Sequence, residues 1–254
     1  MQKEDSPIVI LWILTFSLLG SIGAITAASA FLLLKKRIQQ ILIPSLISYA
    51  AGTLLTVALL GLIPHALEHA NSQNILSTVL AGVILFFFLQ KIIIWRHCHD
   101  PECEVHGVAG PMILIGDAFH NATDGVVIAA SFLSSITVGV ITAISIIAHE
   151  IPQEVGDLAI LLHGGYPKNK ALLLNILSSL STIPVAILAY YALETIQPAV
   201  PYVMAISAAS FLYISLTGLY PELHRQVGIR YAIRQFIMIL IGIGTILLFL
   251  QFHH

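Results

Sequence analysis

Charge is what this sequence has least of. Only 9% of its 254 residues are Asp, Glu, Lys or Arg, against about 25% in a soluble globular domain. Meanwhile 57% are hydrophobic and the mean hydropathy is +0.93. That leaves too little polar surface to coat a water-soluble body, so the composition excludes a soluble domain and demands a lipid bilayer as partner. An excess of basic charge is missing too. The balance of 11 Lys and Arg against 13 Asp and Glu gives a net charge of −2, so the clustered positive face that holds phosphate backbones is absent and no nucleic-acid partner is expected. Cysteine is nearly absent: Cys98 and Cys103 share one polar stretch, which excludes a disulfide framework.

What the chain does have is long apolar runs. A hydrocarbon core about 30 Å thick takes roughly 20 helical residues, and eight such stretches occur, at 8–34, 40–66, 73–95, 109–133, 135–162, 170–193, 199–220 and 230–251. A membrane barrel would instead alternate apolar and polar residues over segments of roughly ten. The expected fold is an all-α polytopic membrane protein of eight transmembrane helices, a single transmembrane domain over 1–254. The first run resembles a retained span rather than a secretory leader, since its basic cluster follows the apolar stretch.

Counting loops alternately puts Lys35, Lys36, Arg37, Lys91, Arg96, Lys168, Lys170, Arg225, Arg230 and Arg234 on one face, with Lys3 alone on the other. The positive-inside rule makes the crowded face cytoplasmic and both termini extracytoplasmic in a cell membrane.

The informative residues lie inside the apolar runs, where a charge costs several kcal/mol unless it meets protein, water or metal. The fourth run contains His120-Asn121-Ala122-Thr123-Asp124-Gly125. Helical spacing places His120 and Asp124 on one stripe, with Asn121 beside it. The fifth contains His149-Glu150-Ile151-Pro152-Gln153-Glu154, pairing His149 with Gln153 and Glu150 with Glu154. Two adjacent antiparallel helices thus bring imidazole, carboxylate and amide groups to similar depth, a donor mixture suited to a first-row divalent metal. Asp117 and Asp157, one to two turns away, read as supporting carboxylates or exit-path groups.

At the end of the second run, His65 and Glu68 are either entrance ligands or a solvated helix end. Glu222 in the seventh serves either an exit path or an interfacial salt bridge. Between the third and fourth runs, the polar segment 96–110 carries His97, Cys98, His99, Cys103 and His106. It is either a weak auxiliary metal site on the cytoplasmic side or a polar connector, and its spacing matches no strong zinc-finger pattern.

Taken together, these residues resemble the ZIP (Zrt/Irt-like) metal transporters. His120-Asn121-Ala122-Thr123-Asp124-Gly125 is similar to their HNxxDG signature, and His149-Glu150-Ile151-Pro152-Gln153-Glu154 to their HExPHE signature, in the pattern of the LIV-1-like branch. The segment Ile63-Pro64-His65-Ala66-Leu67 resembles the end of that branch's second span. The resemblance implies a binuclear site between helices four and five, with one ion on His120, Asp124, His149 and Gln153 and its neighbour on Asn121, Asp124 and Glu150. It also implies a 3+2+3 inverted-repeat arrangement and pairing as homodimers. The departure is Gln153, where the branch has histidine and some bacterial members glutamate. A neutral amide oxygen is a weaker ligand, which bears on metal preference.

The function expected is entry of Zn²⁺, or of Cd²⁺, Fe²⁺ or Mn²⁺, into the cytoplasm as transported substrate, with no resident cofactor and no enzymatic step. The chain has no GxxxxGKS or GxxxxGKT loop of an ATP-driven pump. Three rival readings are a proton relay, a metal sensor and an intramembrane metalloprotease. The last needs a histidine at position 153 to complete HExxH.

Overall fold

The computed structural model describes residues 6–31, 33–97, 109–163, 165–224 and 227–251. All regular structure among them is helical, as it must be where lipid offers backbone groups no partner of its own. Helix α1 (6–31) joins Ser6–Leu18 and Ala24–Phe31 through a π-turn at Leu19–Gly23. Helix α2 (36–69) comprises Lys36–Thr56, a π-turn at Val57–Leu62, and Ile63–His69. Then come α3 (Ser72–His97), α4 (Ala109–Ser134) and α5 (Ile136–His163). Helix α6 (168–195) is broken into Lys168–Ser179 and Thr182–Thr195. Helix α7 (200–224) comprises Val200–Tyr213, a π-turn at Ile214–Leu219, and Tyr220–His224, and α8 is Ile229–Gln251.

Seven helical stretches among the described residues are long and apolar enough to cross a membrane: Pro7–Phe31, Arg37–His69, Ser72–Leu89, Ile136–Ala159, Lys168–Thr195, Gln197–Thr217 and Ile229–Gln251. Helix α4, which carries Asp117, His120, Asn121 and Asp124, is not one of the seven.

Proline accounts for the irregularities in α2, α6 and α7, whereas the π-turn of α1 contains no proline. Pro64 and Pro221 lack the N–H that the carbonyls of Leu60 and Thr217 would accept, and their rings crowd the preceding turn. In both α2 and α7 the turn ahead of the proline widens to the π form. Pro184 does the same to Leu180, and here the helix breaks. The Leu180 carbonyl accepts instead from Ile183 N at 3.3 Å, leaving Leu180 and Ser181 between the two halves of α6.

Small residues let the helices that carry polar groups approach closely. A Cβ on Gly125 would run into the Thr182 carbonyl and the Ala186 amide, so α4 and α6 pack backbone to backbone there. Between α2 and α8, Gly242 lies against Tyr49 O and Thr53 N. The apolar core includes Ile13, Leu54, Leu62, Ile128, Phe132, Ile141 and Phe211. Leu76, Leu80, Ile84 and Phe88 of α3, by contrast, are exposed. Carboxylates inside and a leucine–phenylalanine stripe outside is the reverse of a soluble protein and fits a lipid-facing exterior.

Candidate metal centre

The site begins with two helical pairs. His120 and Asp124 share a face of α4, and His149 and Glu150 project from the facing part of α5. His149 Nδ1 lies 3.1 Å from the Ser145 carbonyl one turn back. With Nδ1 donating to that carbonyl, Nε2 is directed inward with its lone pair free.

Four ligand atoms converge there. His120 Nε2 is 3.0 Å from His149 Nε2, 3.3 Å from Glu150 Oε1 and 3.7 Å from Asp124 Oδ2. His149 Nε2 is 3.4 Å from both Asp124 Oδ2 and Glu150 Oε1. Ligands on a tetrahedral zinc at about 2.0–2.1 Å stand about 3.3–3.4 Å apart, and these separations bracket that value. Asp124, His149 and Glu150 are buried and His120 is partly so. All four carboxylate oxygens of Asp124 and Glu150 lack a hydrogen-bond partner. A buried carboxylate left without donors is costly, and a cation at this point supplies what is missing. The group forms a metal-coordinating cluster, with the Phe211 ring edge-on to His149 at 6.2 Å on its apolar side.

Asn121 and Gln153 sit one layer back. Asn121 Nδ2 donates to the Asp117 carbonyl at 3.1 Å and to Asp117 Oδ1 at 3.0 Å. Its Oδ1 accepts from Thr182 Oγ1 at 3.0 Å and Ser179 Oγ at 3.4 Å. Gln153 Nε2 donates to Asp117 Oδ1 at 3.2 Å, so its amide is turned to that carboxylate. Asp117 is further held by Ser178 Oγ, which donates to Oδ2 at 2.6 Å. Glu154, fully buried, accepts from Asn175 Nδ2. Asp117, Glu150 and Glu154 form a second group of acidic ligand atoms close enough to share an ion.

The contribution of α6 is absent from the sequence reading. Asn175, Ser178, Ser179 and Thr182 follow the i, i+3, i+4, i+7 spacing of one helix face, and that periodicity was the available signal. Apolar helices so often carry Ser and Thr bonded to their own backbone that the stripe did not stand out.

Asp157, half-buried on α5 one turn beyond Gln153, shares a side-chain hydrogen bond with Asp117 and so borders the group of Asp117, Glu150 and Glu154. The remaining expected residues lie elsewhere. His65 and Glu68 lie at the end of α2, with Nδ1 and Oε2 3.7 Å apart and the His65 and His69 rings 4.8 Å apart. Cys98, His99, Cys103 and His106 lie outside the described residues, as do the side chains of His97 and Glu222.

One family profile, ZIP Zinc transporter, matches residues 91–250. "Zinc transporter ZIP13" of Pongo abelii is 30% identical over 225 residues, covering 82% of this chain and 66% of that protein. "Zinc transporter zipt-7.2" of Caenorhabditis elegans is 34% identical over 134 residues, 51% of this chain and 29% of its own length. Human "Zinc transporter ZIP4" is 37% identical over 112 residues, 44% and 17% respectively. The chain thus spans less than two thirds of each of these relatives.

Proposed function

From the premise that this chain belongs to the ZIP zinc transporter family, we propose that it carries divalent transition-metal ions, Zn²⁺ foremost, across a membrane into the cytoplasm. The observation that carries this reading is the convergence of His120, Asp124, His149 and Glu150 on a point that offers two imidazoles and two donorless carboxylates. An ion entering must lose most of its water and later leave, so a site of partly satisfied ligands at mid-membrane suits a carrier. Cd²⁺, Fe²⁺ and Mn²⁺ follow zinc as substrates.

The finer reading is that of the LIV-1-like branch: eight spans over 1–254 in a 3+2+3 inverted-repeat arrangement, both termini extracytoplasmic, and assembly as a homodimer. The ion enters past His65 and Glu68 and leaves past Asp157 and Glu222 toward the cytoplasmic segment 96–110. The centre between α4 and α5 is binuclear, its second ion sharing a carboxylate with the first.

The test is reconstitution in proteoliposomes loaded with a metal-sensitive dye. Saturable Zn²⁺ entry that collapses in His120→Ala/Asp124→Ala supports the carrier. Correctly inserted protein that admits none of the four ions overturns it. Proton movement without metal selects the relay, and binding without flux the sensor.

A further inference from the structure

We propose that the hydroxyls of Ser131 on α4 and Thr142 on α5 are the polar steps at which an incoming ion exchanges its water on the way to His120, Asp124, His149 and Glu150. The proposal rests on the carrier reading above and names the residues between the outer end, extracytoplasmic on that reading, and the cluster.

Helical spacing sets the placement. Seven residues make nearly two full turns, so Ser131 stands on the face of α4 that carries Asp124, and Thr142 on the face of α5 that carries His149. Those two faces meet, since His120 and His149 do. The two helices join at Ser135. At 1.5 Å per residue from that junction, Ser131 lies about 6 Å deep, Thr142 about 10 Å and Asp124 about 16 Å. The hydroxyls thus divide the descent to the first carboxylate into short, similar steps.

Both side chains are fully buried, and neither hydroxyl has a hydrogen-bond partner. That sets them apart from the buried hydroxyls of Ser21, Ser48, Thr56, Ser145 and Ser207, each of which donates to the carbonyl four residues back. A buried hydroxyl without a partner is costly, and a passing ion or its water supplies one. Ser17 and Ser215 share this condition but belong to α1 and α7, which bring no ligand to the cluster. At the outer end His65 continues the row: its ring lies beside the Ser134 backbone, and its Nε2 is buried without a partner. Ile128, Ile141 and Ile146 are buried at intermediate depths, so the stretch between offers an ion little else. A neutral oxygen replaces one water ligand without holding the ion as a carboxylate would, which suits passage rather than storage. Both hydroxyls are shut in here, so they serve when the outer side opens.

The test uses the full chain in proteoliposomes that hold a Zn²⁺-sensitive dye. Ser131→Ala/Thr142→Val is expected to slow entry at limiting Zn²⁺ by about tenfold. Equilibrium Zn²⁺ affinity should stay within about twofold, and the unfolding temperature should not fall, since the hydroxyls lost are unpaired. Ser131→Thr/Thr142→Ser keeps both hydroxyls and is expected to recover the rate. An unchanged rate, a parallel loss of affinity or stability, or failure of the hydroxyl-bearing variant to recover the rate overturns the proposal. A second measurement does not depend on flux. In a Cys98→Ser/Cys103→Ser background, Thr142→Cys is expected to react with a cationic methanethiosulfonate added outside, counted by mass. Ala129→Cys, one turn beyond Gly125 on the side of α4 that faces α6, is expected not to react. Equal labelling of the two, or none at Thr142→Cys, also overturns it. If the unaltered chain admits no Zn²⁺, the carrier reading fails and this one with it; if it admits Zn²⁺ and the double variant matches it, only the hydroxyl steps fail.

Discussion

His120 Nε2 and His149 Nε2 face each other at 3.0 Å across the α4–α5 interface, with one Asp124 and one Glu150 oxygen beside the pair. With no metal between them, one ring must donate and the other accept. Since His149 directs its Nδ1 at the Ser145 carbonyl, the donating Nε2–H falls to His120. A metal ion replaces that shared proton and takes both lone pairs. Loading with Co²⁺ is therefore expected to give the intense visible bands of a tetrahedral site, and His120→Ala to abolish them and lower Zn²⁺ affinity by about 100-fold. Absorption titration of the purified chain checks both.

Gln153 stands where the resemblance to the LIV-1-like pattern implies a histidine, and its amide nitrogen donates to Asp117 at 3.2 Å. Replacing it with histidine removes that hydrogen bond and offers an imidazole one turn from His149. Gln153→His is expected to raise preference for Zn²⁺ over Mn²⁺ by about tenfold and to slow turnover, because tighter binding retards release. Competition uptake in proteoliposomes measures the ranking. An unchanged ranking would place residue 153 outside selectivity.

Backbone approach is a separate demand on the site. Gly125 leaves no room for a Cβ against Thr182 O and Ala186 N, so Gly125→Ala must push α4 from α6 and strain the Thr182–Asn121 hydrogen bond. A loss of about 1–3 kcal/mol is expected, as for overpacked cores. Gly244, with nothing within 4 Å, provides the contrast. Gly244→Ala is expected to be stabilising by about 0.5–1 kcal/mol, since it removes the entropic cost of glycine within a helix. Thermal unfolding of the two variants in the same detergent should move in opposite directions.

Residues of two kinds were legible in the sequence to different degrees. The helices lie within a few residues of the apolar runs because lipid admits few alternatives to a continuous helix. His120, Asp124 and His149 stood out because a polar group in such a run is expensive, and their spacing set the shared face. Glu150 converges with His149 although adjacent residues project about 100° apart on a helix. Its longer side chain brings Oε1 within 3.4 Å of His149 Nε2, which spacing does not reveal. The direction of Gln153 depended on Asp117, and that of Asn121 on Thr182. Both are tertiary matters, decided by where α6 lies, and the stripe on α6 consists mainly of residues an apolar helix tolerates anywhere. The break at Leu180 was written in Pro184 but hidden by a continuous apolar run.

Thr182 gives the simplest measure of what α6 supplies. Thr182→Val keeps the shape and removes the donor to Asn121 Oδ1, leaving Ser179 at 3.4 Å as its remaining partner. The expected cost is about 1–3 kcal/mol of stability and about tenfold in Zn²⁺ affinity, as for other residues that orient a metal site. Thr182→Ser restores the hydroxyl and is expected to recover both. Failure of serine to rescue would assign the effect to packing.

Pro184 separates stability from binding. Its ring breaks α6 at Leu180 and Ser181, and the break brings Ser181 Oγ within 2.7 Å of the Ala118 carbonyl and Thr182 Oγ1 within 3.0 Å of Asn121. Pro184→Ala returns an N–H to the Leu180 carbonyl and favours a continuous helix by up to about 3 kcal/mol. Straightening rotates Ser181 and Thr182 away from α4, forfeiting two cross-helix hydrogen bonds at about 1 kcal/mol each. These opposing effects nearly cancel, so the unfolding temperature is expected to change little. Metal binding has no such offset: Asn121 loses its fixed orientation and with it the support of Asp117, so Zn²⁺ affinity is expected to fall about tenfold. Unfolding and Zn²⁺ titration of the same preparation decide the matter. Equal affinity in both forms would mean that the break shapes the helix without positioning the site.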